Sequence, residues 1–152
     1  MNARNLALMA AVGSMAMLLG AFAFQVFGEM APCKLCIWQR WPHGLAFGVG
    51  LLALLLPHRA LYALGGLVVL FGAGVALYHT GVEQHWWVGP TTCTSQGVAG
   101  LTAQQLMDQI LNAPLVRCDE IPWSMFGMSM AAWNGVVSLG LAGLWAVAYR
   151  KA

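Results

Sequence analysis

Charged side chains are scarce in this chain. Only 8% of its 152 residues are Asp, Glu, Lys or Arg, and 60% are hydrophobic, whereas a soluble domain is about 25% charged. So little charge excludes a domain that is surrounded by water on all sides, and part of the surface must face lipid. The seven Lys and Arg residues form no cluster, which argues against nucleic-acid binding. No repeat, low-complexity tract or flexible linker divides the chain, so residues 1–152 are predicted to form a single domain.

Four long uncharged stretches predict four transmembrane helices, since about 20 apolar residues cross the hydrocarbon core as a helix. We place the spans at residues 6–27, 38–57, 60–82 and 126–149. The first run is too long for the apolar part of a cleavable signal peptide, so we expect it to be retained. Pro42 falls early in the second span and suits the first turn of a helix better than its middle.

The predicted fold class is an all-α membrane protein, a four-transmembrane-helix bundle. Glycines recur in the third and fourth spans, as close packing of membrane helices requires; they are Gly65, Gly66, Gly72, Gly74, Gly135, Gly140 and Gly143. Loops at residues 28–37 and 83–125 join the spans on one side, a short first loop and a long second one.

The basic residues predict the orientation of the bundle in the lipid bilayer. Arg4, Arg59, Arg150 and Lys151 fall at the two termini and the short middle connection, and all five acidic residues fall on the other side. Positive charge favours the cytoplasmic side. Both termini are therefore expected in the cytoplasm, and both loops with their four cysteines outside it.

The long second loop contains a predicted short amphipathic helix. Residues 102–105 (TAQQ) fit a helix-starting capping box, an apolar stripe follows at Leu106, Met107, Ile110 and Leu111, and Pro114 ends the helix. This pattern fits equally a helix lying flat on the membrane surface and one packed on the rim of the bundle.

Two of the four cysteines, Cys33 and Cys36, form a Cys-x-x-Cys motif, whereas Cys93 and Cys118 lie far apart in the second loop. Four cysteines allow three pairings, of which Cys33 with Cys36 is the local choice. Structural disulfides are one interpretation, but a Cys-x-x-Cys ring restrains little chain, and a helix start favours the reactive thiolate. Zinc is disfavoured because a four-thiolate site needs a second close pair, so no metal is predicted.

Arg40 follows Cys36 by four residues, so a helix would present both side chains on one face. A guanidinium group there would stabilise a Cys36 thiolate and polarise a carbonyl oxygen of a bound molecule. The alternative is an arginine at the end of a span whose charged group extends to the lipid headgroups.

Three segments in this order resemble the disulfide bond formation protein B (DsbB) family of bacterial inner-membrane thiol oxidases. They are "CKLCIWQR" at residues 33–40, "YHTGVEQHWWVGPTTC" at 78–93 and "CDEIPWSMFGMSMAAWN" at 118–134. Because these segments lie on a four-span hydropathy pattern, the resemblance covers nearly the whole chain.

The resemblance implies an electron relay. A reduced periplasmic thioredoxin-fold (DsbA-like) partner would attack Cys93 of a second-loop disulfide and release Cys118, and exchange would then reduce the pair Cys33 and Cys36. The resemblance places Cys36 in contact with membrane quinone, ubiquinone or menaquinone, and gives Arg40 the role of supporting that quinone and the thiolate.

Further residues are candidates for the quinone site. His43 could line the pocket, Glu83, or Gln84 in its place, could contact quinone, and His79, like His85, could help to move protons. For His79, an interfacial histidine bonded to the backbone is the stronger alternative.

Two other classes compete with this function. The first is a non-catalytic four-span protein whose disulfides only clamp its outer loops. The second is a vitamin K epoxide reductase-like protein, disfavoured because that family carries its redox motif near a late span.

Overall fold

The computed structural model describes residues 2–90, 102–104, 107 and 116–152, most of which lie in four long helices. The helices are α1 (Ala3–Val26), α2 (Lys34–Leu55), α3 (Arg59–Glu83) and α4 (Met130–Lys151). A short antiparallel hairpin of β1 (Ser124–Met125) and β2 (Met128–Ser129) precedes α4. The helices pack in a ring, α1 on α2, α2 on α3, α3 on α4 and α4 on α1.

Three helices of the described part of the chain, α1, α3 and α4, are long and apolar enough to cross a membrane. Helix α2 has a similar length but is not among these three, and its first turns carry the polar residues Lys34, Gln39, Arg40 and His43. The structure therefore agrees with a helical membrane protein. A membrane crossing by α2 is part of the proposal below.

The basic residues at the helix ends gather at one end of the bundle. Arg4 in the first turn of α1 donates from Nη2 to the carbonyl oxygen of Leu54, near the end of α2, at 2.6 Å. Arg59 at the start of α3 lies over the ring of Tyr149 near the end of α4, with its Cζ 4.7 Å from the ring centroid. The Cys-x-x-Cys motif starts α2 at the opposite end.

Small side chains allow the helices to approach closely. A Cβ on Gly50 of α2 would overlap the Cβ of Ala11 in α1, and one on Gly65 of α3 would lie 2.7 Å from the buried ring of Trp145 in α4. The predicted role of glycine in packing therefore holds at Gly65. Gly74, Gly140 and Gly143 instead have no neighbour within 4 Å of such a Cβ in the described structure.

The first boundary that differs from the sequence prediction is the start of α2. The helix begins at Lys34 rather than near residue 38, with Cys33 as its N-cap. It also continues through Pro42, which therefore lies in the interior of the helix rather than in its first turn. A membrane bundle tolerates an interior proline because neighbouring helices pack around the freed backbone, and here Pro42 faces Gly72 of α3.

The second difference is the start of α4, which begins at Met130 rather than near Phe126. Phe126 and Gly127 have φ angles of 53° and 77°, and both form the turn between β1 and β2, a geometry that a helix does not allow. The hydroxyl oxygen of Ser129 then caps α4 by accepting from the backbone N–H of Ala132 at 3.1 Å. The apolar run thus contains a hairpin as well as a helix.

The predicted amphipathic helix of the second loop lies mostly outside the described residues. Ala103, Gln104 and Met107 are helical and exposed.

The contact between Gly65 and Trp145 provides a test of the packing. Gly65→Ala should lower the stability of the bundle by about 1–3 kcal/mol, because the added methyl group overlaps a buried indole ring. The loss would be measured as a lower thermal unfolding midpoint in detergent. Gly74→Ala in the same helix is the matched control and should leave the midpoint unchanged or slightly higher. Equal effects of the two substitutions would contradict the packing described here.

Candidate functional site

The Cys-x-x-Cys pair forms the first turn of α2. The Cys33 sulfur caps the helix by accepting from the backbone N–H of Cys36 at 3.3 Å, and its thiol donates to the Cys36 sulfur at 2.9 Å. Cys33 is only 3% exposed, whereas Cys36 is half-buried. The hydrogen bond to Cys36 and burial raise the pKa of the Cys33 thiol. The pair is therefore asymmetric, with Cys33 favoured as the protonated and protected partner.

Cys118 reaches the same end of the bundle from the second loop. It packs, together with Cys36 and Val116, against the cluster of Cys33, Leu35 and Val82. Three of the four predicted redox cysteines are therefore close in space although they are distant in sequence. Cys93, the fourth, lies outside the described residues.

His79 of α3 is buried against the thiol pair rather than placed at an exposed interface. Its Nε2 lies 3.5 Å from the Cys33 sulfur and 3.9 Å from a carboxylate oxygen of Glu83, and Nδ1 lies 2.7 Å from Nε2 of Gln39. The alternative of an interfacial, backbone-bonded histidine is therefore met only in part, because His79 has a hydrogen bond to the backbone of Cys118 but is buried. Glu83 is also buried and accepts a hydrogen bond from the hydroxyl of Ser129.

A chain of buried hydrogen bonds continues from His79 into the bundle. Gln39 donates from Nε2 to His79, and its Oε1 accepts from Asn134 Nδ2. Asn134 Oδ1 in turn accepts from Nε2 of His43 at 2.8 Å. Ser138 donates to Asn134 Oδ1 at 3.4 Å. These contacts link α2, α3 and α4 through side chains that are all nearly inaccessible.

The sequence analysis did not identify Gln39, Asn134 or Ser138. A signal was present for Asn134 and Ser138, because polar side chains inside an apolar span are costly and usually have a structural or functional partner. The sequence did not reveal that they meet His43 and Gln39, which requires the packing of α2 against α4.

Arg40 turns inward to α1 instead of extending to the headgroups. Its Nη1 donates to Gln25 Oε1 at 2.7 Å, and its Nη2 lies 3.4 Å from the carbonyl oxygen of Ala21. Its Cζ lies 4.7 Å from the centroid of the Phe22 ring. Nε is buried and has no hydrogen-bond partner within the described chain.

A cavity of about 320 Å³ lies beside these residues. All five residues predicted to bind a cofactor line it, namely Cys36, Arg40, His43, His79 and Glu83. Most of the other lining comes from apolar side chains such as Met17, Leu18 and Phe24 of α1. A second depression, about 390 Å³, lies between α2 and α3 but is lined by apolar and aromatic side chains without an ionisable group. The thiol-lined cavity is thus the candidate site.

Cys33, Cys36 and His79 could also hold a metal ion, because their ligand atoms all lie within 4.8 Å of one another. Two thiolates and an imidazole suit zinc or Cu(I). The sequence analysis considered only a four-cysteine zinc site, not this set. Since the ligands include the redox pair itself, a bound metal and a Cys33–Cys36 disulfide would exclude each other.

A helical membrane bundle with a dithiol at one end, a third cysteine packed beside it and a cavity next to the sulfur atoms belongs to the class of membrane proteins that carry out thiol–disulfide chemistry. The model of the family "Disulfide bond formation protein DsbB" matches residues 3–148. The chain therefore belongs to the DsbB family, and its relation to disulfide bond formation in a membrane follows from that membership.

Similar proteins are found in several bacteria under the name Disulfide bond formation protein B. The relative from Dechloromonas aromatica is 31% identical over 140 residues, 86% of this chain and 82% of the relative. The relative from Methylococcus capsulatus is 31% identical over 154 residues, covering 92% and 90%. That from Pasteurella multocida is 33% identical over 133 residues, covering 82% and 74%.

The asymmetry of the dithiol predicts an order of alkylation. When the reduced, folded protein is treated briefly with iodoacetamide, Cys36 should be modified before Cys33, because Cys33 is buried and its thiol pKa is raised. Peptide mass mapping measures the order. The protein unfolded in SDS serves as the control, in which both cysteines should react alike. Faster labelling of Cys33 in the folded protein would contradict the assigned roles.

Proposed function

We propose that this protein oxidises the dithiol of a periplasmic thioredoxin-fold (DsbA-like) oxidase by disulfide exchange and passes the electrons to membrane quinone. The observation that carries the proposal is the cavity that brings Cys36 and Arg40 together, one helical turn apart, beside Cys33, onto which Cys118 packs. DsbB-family membership supports the same chemistry.

The proposed topology places four helices across the bacterial inner membrane. The end of the bundle that carries Arg4, Arg59, Arg150 and Lys151 faces the cytoplasm, as the preference of positive charge for that side favours. The thiol end then faces the periplasm, an oxidising compartment in which disulfides persist. Helix α2 crosses with its polar residues turned toward neighbouring helices, as Gln39 and His43 are.

The first step is exchange with the partner. A thiolate of the reduced partner attacks Cys93 in a Cys93–Cys118 disulfide, which forms a mixed disulfide and releases Cys118. The second partner thiol then attacks its own half of the mixed disulfide, so the partner leaves oxidised and Cys93 is released as a thiol. Two electrons and two protons have passed to this protein.

The second step moves the electrons to the cavity. The Cys118 thiolate attacks Cys33 in a Cys33–Cys36 disulfide, in keeping with the packing of Cys118 against the cluster that contains Cys33. Cys36 is released as a thiolate that lines the cavity near Arg40. Cys93 then attacks Cys118, which restores the Cys93–Cys118 disulfide and releases Cys33, next to Nε2 of His79.

The cavity fits a quinone by the character of its lining. The apolar walls suit an aromatic ring, and the unpartnered Nε of Arg40 offers a hydrogen bond to a carbonyl oxygen. When bound, a quinone supplies the capacity to accept two electrons and two protons. Cys36 is the sulfur placed to donate electrons, and Arg40 stabilises its negative charge. Because His79 Nδ1 accepts from Gln39, the hydrogen of the neutral imidazole is on Nε2, where it can donate to the released Cys33 sulfur.

The difference in reduction potential between a DsbA-type oxidant and an ordinary disulfide explains why a strong electron acceptor is needed. DsbA-type oxidants have potentials near −120 mV, whereas ordinary structural disulfides lie below about −300 mV, which is roughly 8 kcal/mol for two electrons. A stable structural disulfide therefore cannot reoxidise such a partner. A reactive disulfide coupled to a lipid-soluble oxidant can do so.

Turnover separates this function from a purely structural role of the cysteines. The purified protein, given a reduced thioredoxin-fold oxidase and a short-chain ubiquinone, should reduce the quinone, which is followed by its absorbance. Cys36→Ser should stop the reaction because it removes the proposed electron donor to the quinone. The oxidised partner is the control substrate and should give no signal. Absence of turnover, or turnover that persists in Cys36→Ser, would favour the non-catalytic four-span alternative.

The role of Arg40 is tested by comparing the effect of its replacement on the KM for quinone with the effect on the KM for the partner protein. Arg40→Ala should raise the apparent KM for quinone by about tenfold or more, because a charged hydrogen bond is lost, while the KM for the partner changes little. Arg59→Ala is the matched control, since Arg59 lies over an aromatic ring at the same 4.7 Å distance but at the other end of the bundle. Equal effects of Arg40→Ala on both KM values would contradict its role in the cavity.

A further inference from the structure

The inner part of the cavity contains a second buried polar atom that the relay described above does not use. His43 is 3% exposed, lines the cavity, and its Nδ1 has no hydrogen-bond partner within the described chain. An unsatisfied polar atom in a protein interior is costly and is normally explained by a ligand, a water molecule or a functional role.

The hydrogen-bond chain determines which nitrogen of His43 carries the hydrogen. Asn134 uses its Nδ2 to donate to Gln39 Oε1, so its Oδ1 is directed to His43. The Nε2 of His43 must therefore be the N–H that donates to this oxygen. In a neutral imidazole the other nitrogen is then unprotonated, so Nδ1 is an unsatisfied acceptor on a side chain that lines the cavity.

The cavity thus offers two unpartnered groups of opposite kind on one helix. Arg40 Nε is a donor and suits a carbonyl or another acceptor, whereas His43 Nδ1 is an acceptor and suits a hydroxyl group. The two residues are three positions apart on α2, so they lie on the same face. A ligand that satisfies both must present an oxygen acceptor and a hydroxyl donor. An oxidised quinone has only acceptors, whereas its reduced form has hydroxyl groups.

We propose that His43 Nδ1 accepts a hydrogen bond from a hydroxyl group of the ligand, so that the cavity binds the reduced, dihydroxy form of a quinone more tightly than the oxidised form. This inference rests on the proposed quinone site and adds a residue that selects between its two redox forms. Tighter binding of the reduced form makes the bound quinone a stronger oxidant, by about 30 mV for each factor of ten in affinity. His43 would then favour electron flow away from Cys36.

The test compares the binding of the two forms when no electrons can be exchanged. In full-length protein with all four cysteines replaced by serine, a short-chain benzoquinone and its hydroquinone are titrated separately, the latter under anaerobic conditions. His43→Leu should weaken hydroquinone binding by about tenfold and change quinone binding less than twofold. His58→Leu is the matched control, because His58 is exposed and caps α3 at the opposite end of the bundle, and it should change neither affinity.

A second variant adds a hydrogen to His43 Nδ1 with little change in the shape of the side chain at position 134. In Asn134→Asp, the carboxylate accepts from Nε2 and favours the doubly protonated imidazole, whose Nδ1 is then a donor. Hydroquinone should lose its advantage, and quinone should gain affinity. If His43→Leu fails to fold, Asn134→Asp still tests the proposed hydrogen bond to His43 Nδ1.

Three outcomes would overturn the inference. Unchanged hydroquinone binding in His43→Leu would mean that water alone satisfies Nδ1, and equal weakening of both forms would mean that His43 only shapes the cavity. Binding of neither form by the serine background would reject the quinone site itself and the inference with it. In the first two outcomes quinone still binds, so the proposed function would stand without the selectivity.

Discussion

A bundle that is surrounded by lipid must satisfy its buried polar groups internally, because the hydrocarbon offers them no hydrogen bonds. In this protein the requirement is met by one continuous chain that runs from the Cys33 sulfur through His79, Gln39 and Asn134 to His43. The chain joins three helices, so it couples the packing of the bundle to the position of the sulfur. Loss of any link leaves a buried partner unsatisfied, at a cost of about 1–3 kcal/mol.

The need to satisfy buried polar groups also gives the two cysteines of the dithiol different surroundings. Cys33 is the N-cap of α2 and is surrounded by the hydrogen-bond chain and by Leu35 and Val82. Cys36, one turn along the helix, lines the cavity with Arg40. In the proposed relay, one sulfur is therefore placed for exchange with Cys118, and the other is placed for a ligand in the cavity. This separation allows one pair of cysteines to connect two different reactions.

Much of the site could be predicted from the sequence because the spacing of its residues is local. Cys33, Cys36 and Arg40 lie within two helical turns, and their shared face follows from helix geometry alone. The burial of His79 and Glu83 was not predicted. Their position near the end of an apolar span is compatible with either a surface or an interior location, and the choice depends on how α3 rotates against α2 and α4.

The boundaries of α2 and α4 illustrate the same limit. Hydropathy marks where a segment is apolar. It does not distinguish an apolar helix from an apolar hairpin, such as the one that turns at Phe126 and Gly127. The interior position of Pro42 also depends on its neighbours, because Gly72 of α3 provides the space against which it packs.

The amino-acid sequence by itself determined that the chain is a membrane protein and that it resembles the DsbB family. It also determined the Cys-x-x-Cys motif and the placement of Arg40 on the same helix face as Cys36. Composition and short spacings specify these features directly. Only the tertiary structure decided that Cys118 reaches the dithiol, that Arg40 turns to α1, and that Gln39 and Asn134 connect the two buried histidines. These contacts join residues far apart in the chain. Their geometry is set by side-chain packing between helices, which no local pattern of residues encodes.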